Sequence, residues 1–344
     1  MRNRLVREIV TAAAAVLFLV SWMCASNVHA AFDSDSSIAP SSRAQSVSAP
    51  LAFPKEVSEG LEILYAGDPD KAIEIFKRVQ TSQPDSPLGY LLEAEARWWK
   101  LYCWSLEFKW GHLDAWHREE AREDAPFLRL ADKAVALAEA QLKEKETAEM
   151  HLYAGMGYAH RARLMGLLNE RRATARAGVA ARAQLMRAKE MNPQLADADT
   201  GLGLYNYYVD TLSAIAKVLR FFMGIPGGTK AEGIQQLENA QNHAELTAVD
   251  ARFYLSKNLR SYDQKYEGAI VVMEPLAARY PKNAIFQLML GNLNALLNRK
   301  DKAAAFYHSA ETISAAMPAS DPVCRARIAA LAKEGLLKLG GVAQ

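Results

Sequence analysis

Six times along the chain a small residue is followed four positions later by a large one, and three positions after that by another helix-packing residue. The sets are Ala72/Phe76/Val79, Ala131/Val135/Ala138, Ala181/Leu185/Ala188, Gly233/Leu237/Ala240, Ala269/Met273/Leu276 and Ala303/Tyr307/Ala310. A spacing of four then three keeps each set on one helical face. The small member lets a neighbouring helix approach closely. Three sets carry a proline five residues on, at Pro84, Pro193 and Pro281, and proline ends a helix because it cannot continue the backbone ladder. The leading residues fall at 72, 131, 181, 233, 269 and 303, so the steps are 59, 50, 52, 36 and 34. The last two match a helical repeat of about 34 residues. The first three are too long, so helices are lengthened or segments inserted there.

Between these sets the pattern predicts their partner helices. One runs over 54–65, with Gly60 where a small residue is needed. Asp68-Pro69 is an N-cap followed by proline at the first helical position, and Ser86-Pro87 repeats that chemistry. Residues 145–168 and 171–191 read as two long helices. The stretch 100–124 departs from the repeat. Residues 212–228 (LSAIAKVLRFFMGIPGG) form an apolar insert within one pair, with one apolar face and then a glycine-rich turn. Thr229-x-x-Glu232 is a capping box that opens the next helix. A closing helix over 322–339 ends at Gly340-Gly341.

These marks identify the chain as a member of the tetratricopeptide repeat superfamily over residues 54–339. The stretch Gly201-Leu202-Gly203-Leu204-Tyr205-Asn206-Tyr207-Tyr208, the apolar insert, and Gly224-Ile225-Pro226-Gly227-Gly228-Thr229 resemble a subgroup of exported bacterial tetratricopeptide proteins of unassigned function. More distantly the chain is similar to eukaryotic outer-mitochondrial-membrane tetratricopeptide proteins linked to inclusion clearance. The resemblance implies an all-α, right-handed α-solenoid of about six helix pairs with a C-terminal capping helix, over 54–341. It implies no catalytic residues.

Of 344 residues half are hydrophobic, enough for a large core, and the formal charge is +2. Arg2, Arg4, Arg7 and Glu8 account for that charge, so the rest is near neutral and lacks the basic face that nucleic acid would need. These arginines precede an apolar run from Ile9 to about Ala25, and Val28-His29-Ala30 offers small residues for cleavage before Ala31. Residues 1–30 therefore read as a signal peptide, and the localisation as periplasmic or secreted. An uncleaved leader would anchor the chain in the inner membrane instead. Residues 31–53, rich in Ser, Ala and Pro, read as a flexible linker. Cys103 and Cys324 sit near opposite ends of an elongated array and are expected as two separate buried thiols.

Candidate chemistry is sparse. Trp98, Trp99, Trp104, Trp110 and Trp116 could form an aromatic platform or fill gaps between lengthened helices. Steps of six residues turn about 240° on a helix, so they share no stripe. The insert could plug the inside of the superhelix, or act as a membrane or partner arm. His112 and His117 are not spaced for one helical face, and no metal motif occurs. No cofactor is expected, and no nucleophile or acid–base set marks an enzyme.

The function expected is a non-enzymatic scaffold for a protein or peptide in the cell envelope. Groove binding would use Trp98, Asn206, Tyr207, Asn258, Asn292 and Asn294 on the first helices of the pairs, with asparagines bonding an extended peptide backbone. The alternative is a small-molecule or lipid carrier whose apolar cavity the insert closes. Peripheral membrane contact through the insert is a further expectation.

Overall fold

The structure, a computed structural model, describes residues 51–340 apart from Met223, Ala319 and the side chains of residues 215, 218, 219 and 222. The expected leader and most of the linker lie outside the described residues. The helices are α1 (Lys55–Tyr65), α2 (Pro69–Ser82), α3 (Leu88–Trp104), α4 (Asp124–Glu144), α5 (Ala148–Leu167), α6 (Arg171–Met191) and α7 (Asp197–Thr211). They continue as α8 (Ala214–Phe222), α9 (Lys230–His243), α10 (Ala248–Ser261), α11 (Tyr266–Arg279), α12 (Ala284–Leu296), α13 (Lys300–Ala316) and α14 (Pro322–Leu339). Two short strands, β1 (Leu106–Lys109) and β2 (His112–Ala115), form an antiparallel hairpin between α3 and α4.

The fold is an all-α solenoid of paired helices. Its pairs are α1/α2, α3/α4, α5/α6, α7/α9, α10/α11 and α12/α13, and α14 caps the last. The hairpin interrupts the second pair and α8 interrupts the fourth. Every member of the six sequence sets is buried. Their large side chains fill the space above glycines on the partner helices. A Cβ on Gly60 would stand 2.3 Å from Phe76, and one on Gly155 would stand 2.6 Å from Leu185. One on Gly291 would stand 2.6 Å from Tyr307. In the interrupted fourth pair the backbones themselves touch: a Cβ on Gly203 would stand 2.8 Å from the Gly233 carbonyl oxygen. The caps at Asp68 and Thr229 form as expected, accepting from the Lys71 and Glu232 amides. At Ser86-Pro87 the helix starts one residue later, at Leu88, with Pro87 in the N-cap position, and Asp321 caps α14 by accepting from the Cys324 amide.

The array is not open, and this corrects the expectation of two separate thiols. The first pairs meet the last ones. Tyr65 of α1 donates to Asp250 Oδ2 of α10 at 2.9 Å, and Asn283 Nδ2 donates to the Tyr65 carbonyl at 3.0 Å. Trp104 at the end of α3 donates to Asp321 at the start of α14. Cys103 and Cys324, expected apart, are joined in a disulfide with Cα atoms 5.5 Å apart across a sequence separation of 221. An elongated array would separate them, but here α3 lies against the capping helix.

Residues 100–124 depart from the repeat as expected, and the hairpin lies within them. The aromatic stretch divides between core and surface. Trp98 and Trp99 enter a single aromatic core with Tyr65, Tyr102, Phe253 and Phe286. Trp104 and Trp116 are half-buried. Trp110, at the hairpin tip, is 84% exposed.

Candidate functional site

A scaffold groove would lie along the first helices α10 and α12. That surface is occupied by the chain's own hairpin. Leu106 and Leu113 are fully buried. Asn292 of α12 holds the hairpin backbone with both ends of its amide: Oδ1 accepts from the Leu113 amide at 3.1 Å, and Nδ2 donates to the Gly111 carbonyl at 2.8 Å. An asparagine clamp on extended backbone does exist, but its ligand is intramolecular.

The hairpin's only buried charge, among the described residues, is Asp114. Its carboxylate accepts from Tyr102 Oη at 3.0 Å and from Arg260 Nη2 at 3.1 Å, and Lys257 Nζ stands 3.3 Å away. A buried charge is tolerable only when paired. Arg260 is itself 1% exposed, so this pair is the hairpin's anchor in α10. Burial alone would lower the Lys257 pKa, but Asp114 and the surrounding tyrosines raise it instead, and the ammonium stays charged.

Behind the hairpin lies a second buried network. Arg163 of α5 pairs with Glu95 of α3 and stacks its guanidinium 5.0 Å over the Trp98 ring. Burial pushes the Asp250 carboxyl well up, and the neighbouring Glu95 charge pushes it further. Glu95 itself, despite the same burial, is held low by Arg163 and His160. The two carboxyls are therefore pushed in opposite directions. Burial and the Arg163 charge push His160 down to about 3, so its imidazole is neutral. A split carboxyl pair can do acid–base chemistry in a cleft. Here Glu95 and Asp250 are 6% and 5% exposed, and the network binds four helices, α1, α3, α5 and α10, together.

None of the six expected binding side chains is presented to solvent. Trp98 donates to Tyr254 Oη at 2.9 Å. Asn206 donates to Gln236 at 2.9 Å. Tyr207 donates to the Asn258 carbonyl at 3.2 Å, and Asn258 Oδ1 accepts from Tyr208 at 3.1 Å. Asn294 donates to the Leu290 carbonyl of its own helix. All six are buried. Closure of the array and entry of the hairpin place these positions in the core.

What the inner face loses, the hairpin tip displays. Trp110 and Gly111 form a two-residue turn, both with positive φ, at 50° and 81°. Such turns favour Asn-Gly or Asp-Gly; a bulky side chain there is strained. The Trp110 ring meets Trp116 edge-on, with centroids 5.2 Å apart at 84°. Trp116 is fixed by its Nε1 bond to the Glu107 carbonyl at 2.9 Å and by Lys109 over its ring. The sequence carried a signal for this element: Leu106, Phe108 and Trp110 alternate with polar residues before a glycine.

A cavity of about 50 Å³ lies between α1, α3, α12 and α14, lined by Leu64, Asp70, Trp99, Lys100, Asn283 and Asp321. That is far below the 300–1,000 Å³ or so of a ligand pocket. Among the described residues no group of His, Cys, Asp and Glu is placed to hold a metal ion, and no helix is long and apolar enough to cross a membrane.

No family model matches the sequence, and no curated protein matches it. Among solved structures, the chain is similar to the C-terminal part of a TPR repeat-containing protein from Cytophaga hutchinsonii. The two are 14% identical with a TM-score of 0.34, over 84% of this chain and 96% of that one. Yeast Tom70 is 11% identical with a TM-score of 0.32, over 83% of this chain and 75% of its own. Superpositions this loose transfer no residue role.

Proposed function

We propose that the protein is an exported, non-enzymatic scaffold that binds a protein partner in the cell envelope, with the hairpin tip as its contact. The observation that carries the reading is Trp110. It is the largest kind of side chain, 84% exposed, on a backbone conformation that favours Asn or Gly, above a root fixed by Asn292 and Asp114. A rigid aromatic anchor loses little entropy on binding, and tryptophan is enriched at interface hot spots. A strained residue kept at an exposed tip supports a role in recognition. The Cys103–Cys324 disulfide supports export, since such bonds persist in oxidising compartments.

The test is capture from envelope extract with the wild type and Trp110→Ala. The variant should keep the wild-type melting temperature and lose the partner that the wild type retains. Equal capture by the two proteins would remove the hairpin tip from the reading. Thiol labelling of the protein taken from cells without reductant checks export: Cys103 and Cys324 should resist alkylation until reduced.

A further inference from the structure

A surface away from the hairpin has a different chemistry. Arg171, Arg172, Arg176, Arg182, Arg187 and Lys189 lie on α6 with no acidic residue between 171 and 189. Lys217, Arg220 and Lys230 lie on or beside α8, with no acidic residue between 211 and 231. Helices α6 and α7 pack antiparallel, so the N-terminal half of α6 lies beside the end of α7 from which α8 departs. Tyr205 joins the two regions. The Arg182 guanidinium stands 5.5 Å over its ring, and Gly178 of α6 packs against it. Its hydroxyl donates to the Pro226 carbonyl at 2.8 Å, which also accepts from Arg220 at 3.0 Å.

Several of these cations lack the carboxylates that cations elsewhere in the fold possess. Arg187 bonds Glu146 and Glu190, and Lys189 bonds Asp199. Lys217 bonds Asp210 and Lys230 bonds Asp263. By contrast, Arg172 and Arg176 are exposed and form no ion pair among the described residues. Arg182 and Arg220 each have a buried Nε with no hydrogen-bond partner among the described residues.

The same region shows apolar side chains to solvent. Phe221 is 78% exposed and Leu212 is 40% exposed. Helix α8 spans nine residues, about 14 Å at 1.5 Å per residue, too short to cross a bilayer. A short helix with apolar and basic residues and no acid suits a membrane interface, lying in its plane.

We propose that α8, with the arginines of α6 around it, docks the protein peripherally on an anionic phospholipid bilayer. Phe221 enters the headgroup boundary. Arg172, Arg176, Arg182 and Arg220 meet lipid phosphates. The occupant is a bilayer rather than an acidic protein because the basic set lies beside an exposed phenylalanine and leucine, and each component alone would bind weakly.

The experiment is vesicle flotation of the protein beginning at Ala31, which keeps every described residue and lacks the hydrophobic leader. Vesicles of phosphatidylcholine alone are compared with vesicles that include phosphatidylglycerol. The wild type should float with the anionic vesicles and stay behind with the neutral ones, and added salt should weaken it. Phe221→Asp should abolish flotation. Arg172→Glu combined with Arg176→Glu should lower the partition by about tenfold or more, given a roughly fivefold effect per basic residue at an anionic surface. Val271→Asp, at a 69% exposed position on α11, should float as the wild type does. Circular dichroism and melting temperature establish that each variant is folded. The proposal is overturned if the wild type ignores anionic vesicles, if it binds both kinds equally, or if folded Phe221→Asp floats undiminished.

Discussion

At the scale of single residues, Trp110 separates stability from recognition. Its φ of 50° is one that Asn adopts readily and most residues adopt at a cost of about 1–2 kcal/mol. Trp110→Asn should therefore raise stability by about 1 kcal/mol while losing partner capture, measured by urea unfolding and pull-down on the same preparation. His160 gives a pH prediction. Burial and Arg163 hold it at about 3 in the folded chain, against about 6.5 when unfolded. Between those values the unfolded chain binds a proton that the folded chain refuses. The contribution of neutral His160 is thus complete above about pH 6.5 and is lost as pH falls towards about 3. Wild type should lose on the order of 3 kcal/mol more than His160→Gln between about pH 7 and about pH 4. Glu95, held low by Arg163 against its burial, acts in the same direction at lower pH. Asp250, raised by burial and by Glu95, acts the other way, so the difference between the two proteins, not the wild-type slope alone, reports on His160. Gly203 offers a third test. An alanine there would press on the Gly233 carbonyl, and Gly203→Ala should cost about 1–3 kcal/mol by overpacking.

At the scale of elements, the hairpin β1–β2 does the work expected of the insert. It packs against α10 and α12, which supply Arg260 to its buried carboxylate and Asn292 to its backbone. Asn292→Ala would leave the Leu113 amide and Gly111 carbonyl without their partner. The loss at the buried Leu113 amide, at about 1–3 kcal/mol, should lower the unfolding free energy measurably and raise hydrogen exchange at Leu113, while the exposed Gly111 carbonyl can turn to water. Unchanged exchange would mean that the clamp does not hold the hairpin. The expectation that residues 212–228 plug the superhelix rests on Ile215, Val218, Leu219, Phe222 and Met223, whose side chains lie outside the described residues. What is described there is tied down by polar contacts: Lys217 to Asp210, and Arg220 to Pro226.

At the scale of the whole molecule, closure is the dominant fact for residues 51–340. Repeat arrays are held by nearest-neighbour interfaces, but here the first two pairs also meet the fifth and sixth and the capping helix through a shared core, ion pairs and a disulfide. Cys103–Cys324 spans 221 positions. On the chain-entropy account a loop of that length contributes about 5 kcal/mol, at the upper end of measured values. Reduction should lower the melting temperature and increase the radius seen by small-angle scattering. An unchanged radius would show that the buried contacts keep the array closed without the bond.

The sequence by itself determined the helices and their pairing. Its six sets of small and large residues specify one buried face per second helix, and that face packs locally, against helices close in the chain. Periodicity records local geometry, so Gly60 under Phe76 was legible as a small position beside a large one. It also placed Asn206, Asn258, Asn292 and Asn294 on the first helices of their pairs. Only the tertiary structure decided what they meet. Closure depends on small rotations accumulated over successive pairs, and no single position encodes them. The partners it creates, Tyr65 with Asp250, Asp114 with Arg260 and Cys103 with Cys324, lie 146 or more positions apart. Spacing rules that read one helical turn at a time cannot register such contacts, and so groove residues became core while a turn tryptophan became surface.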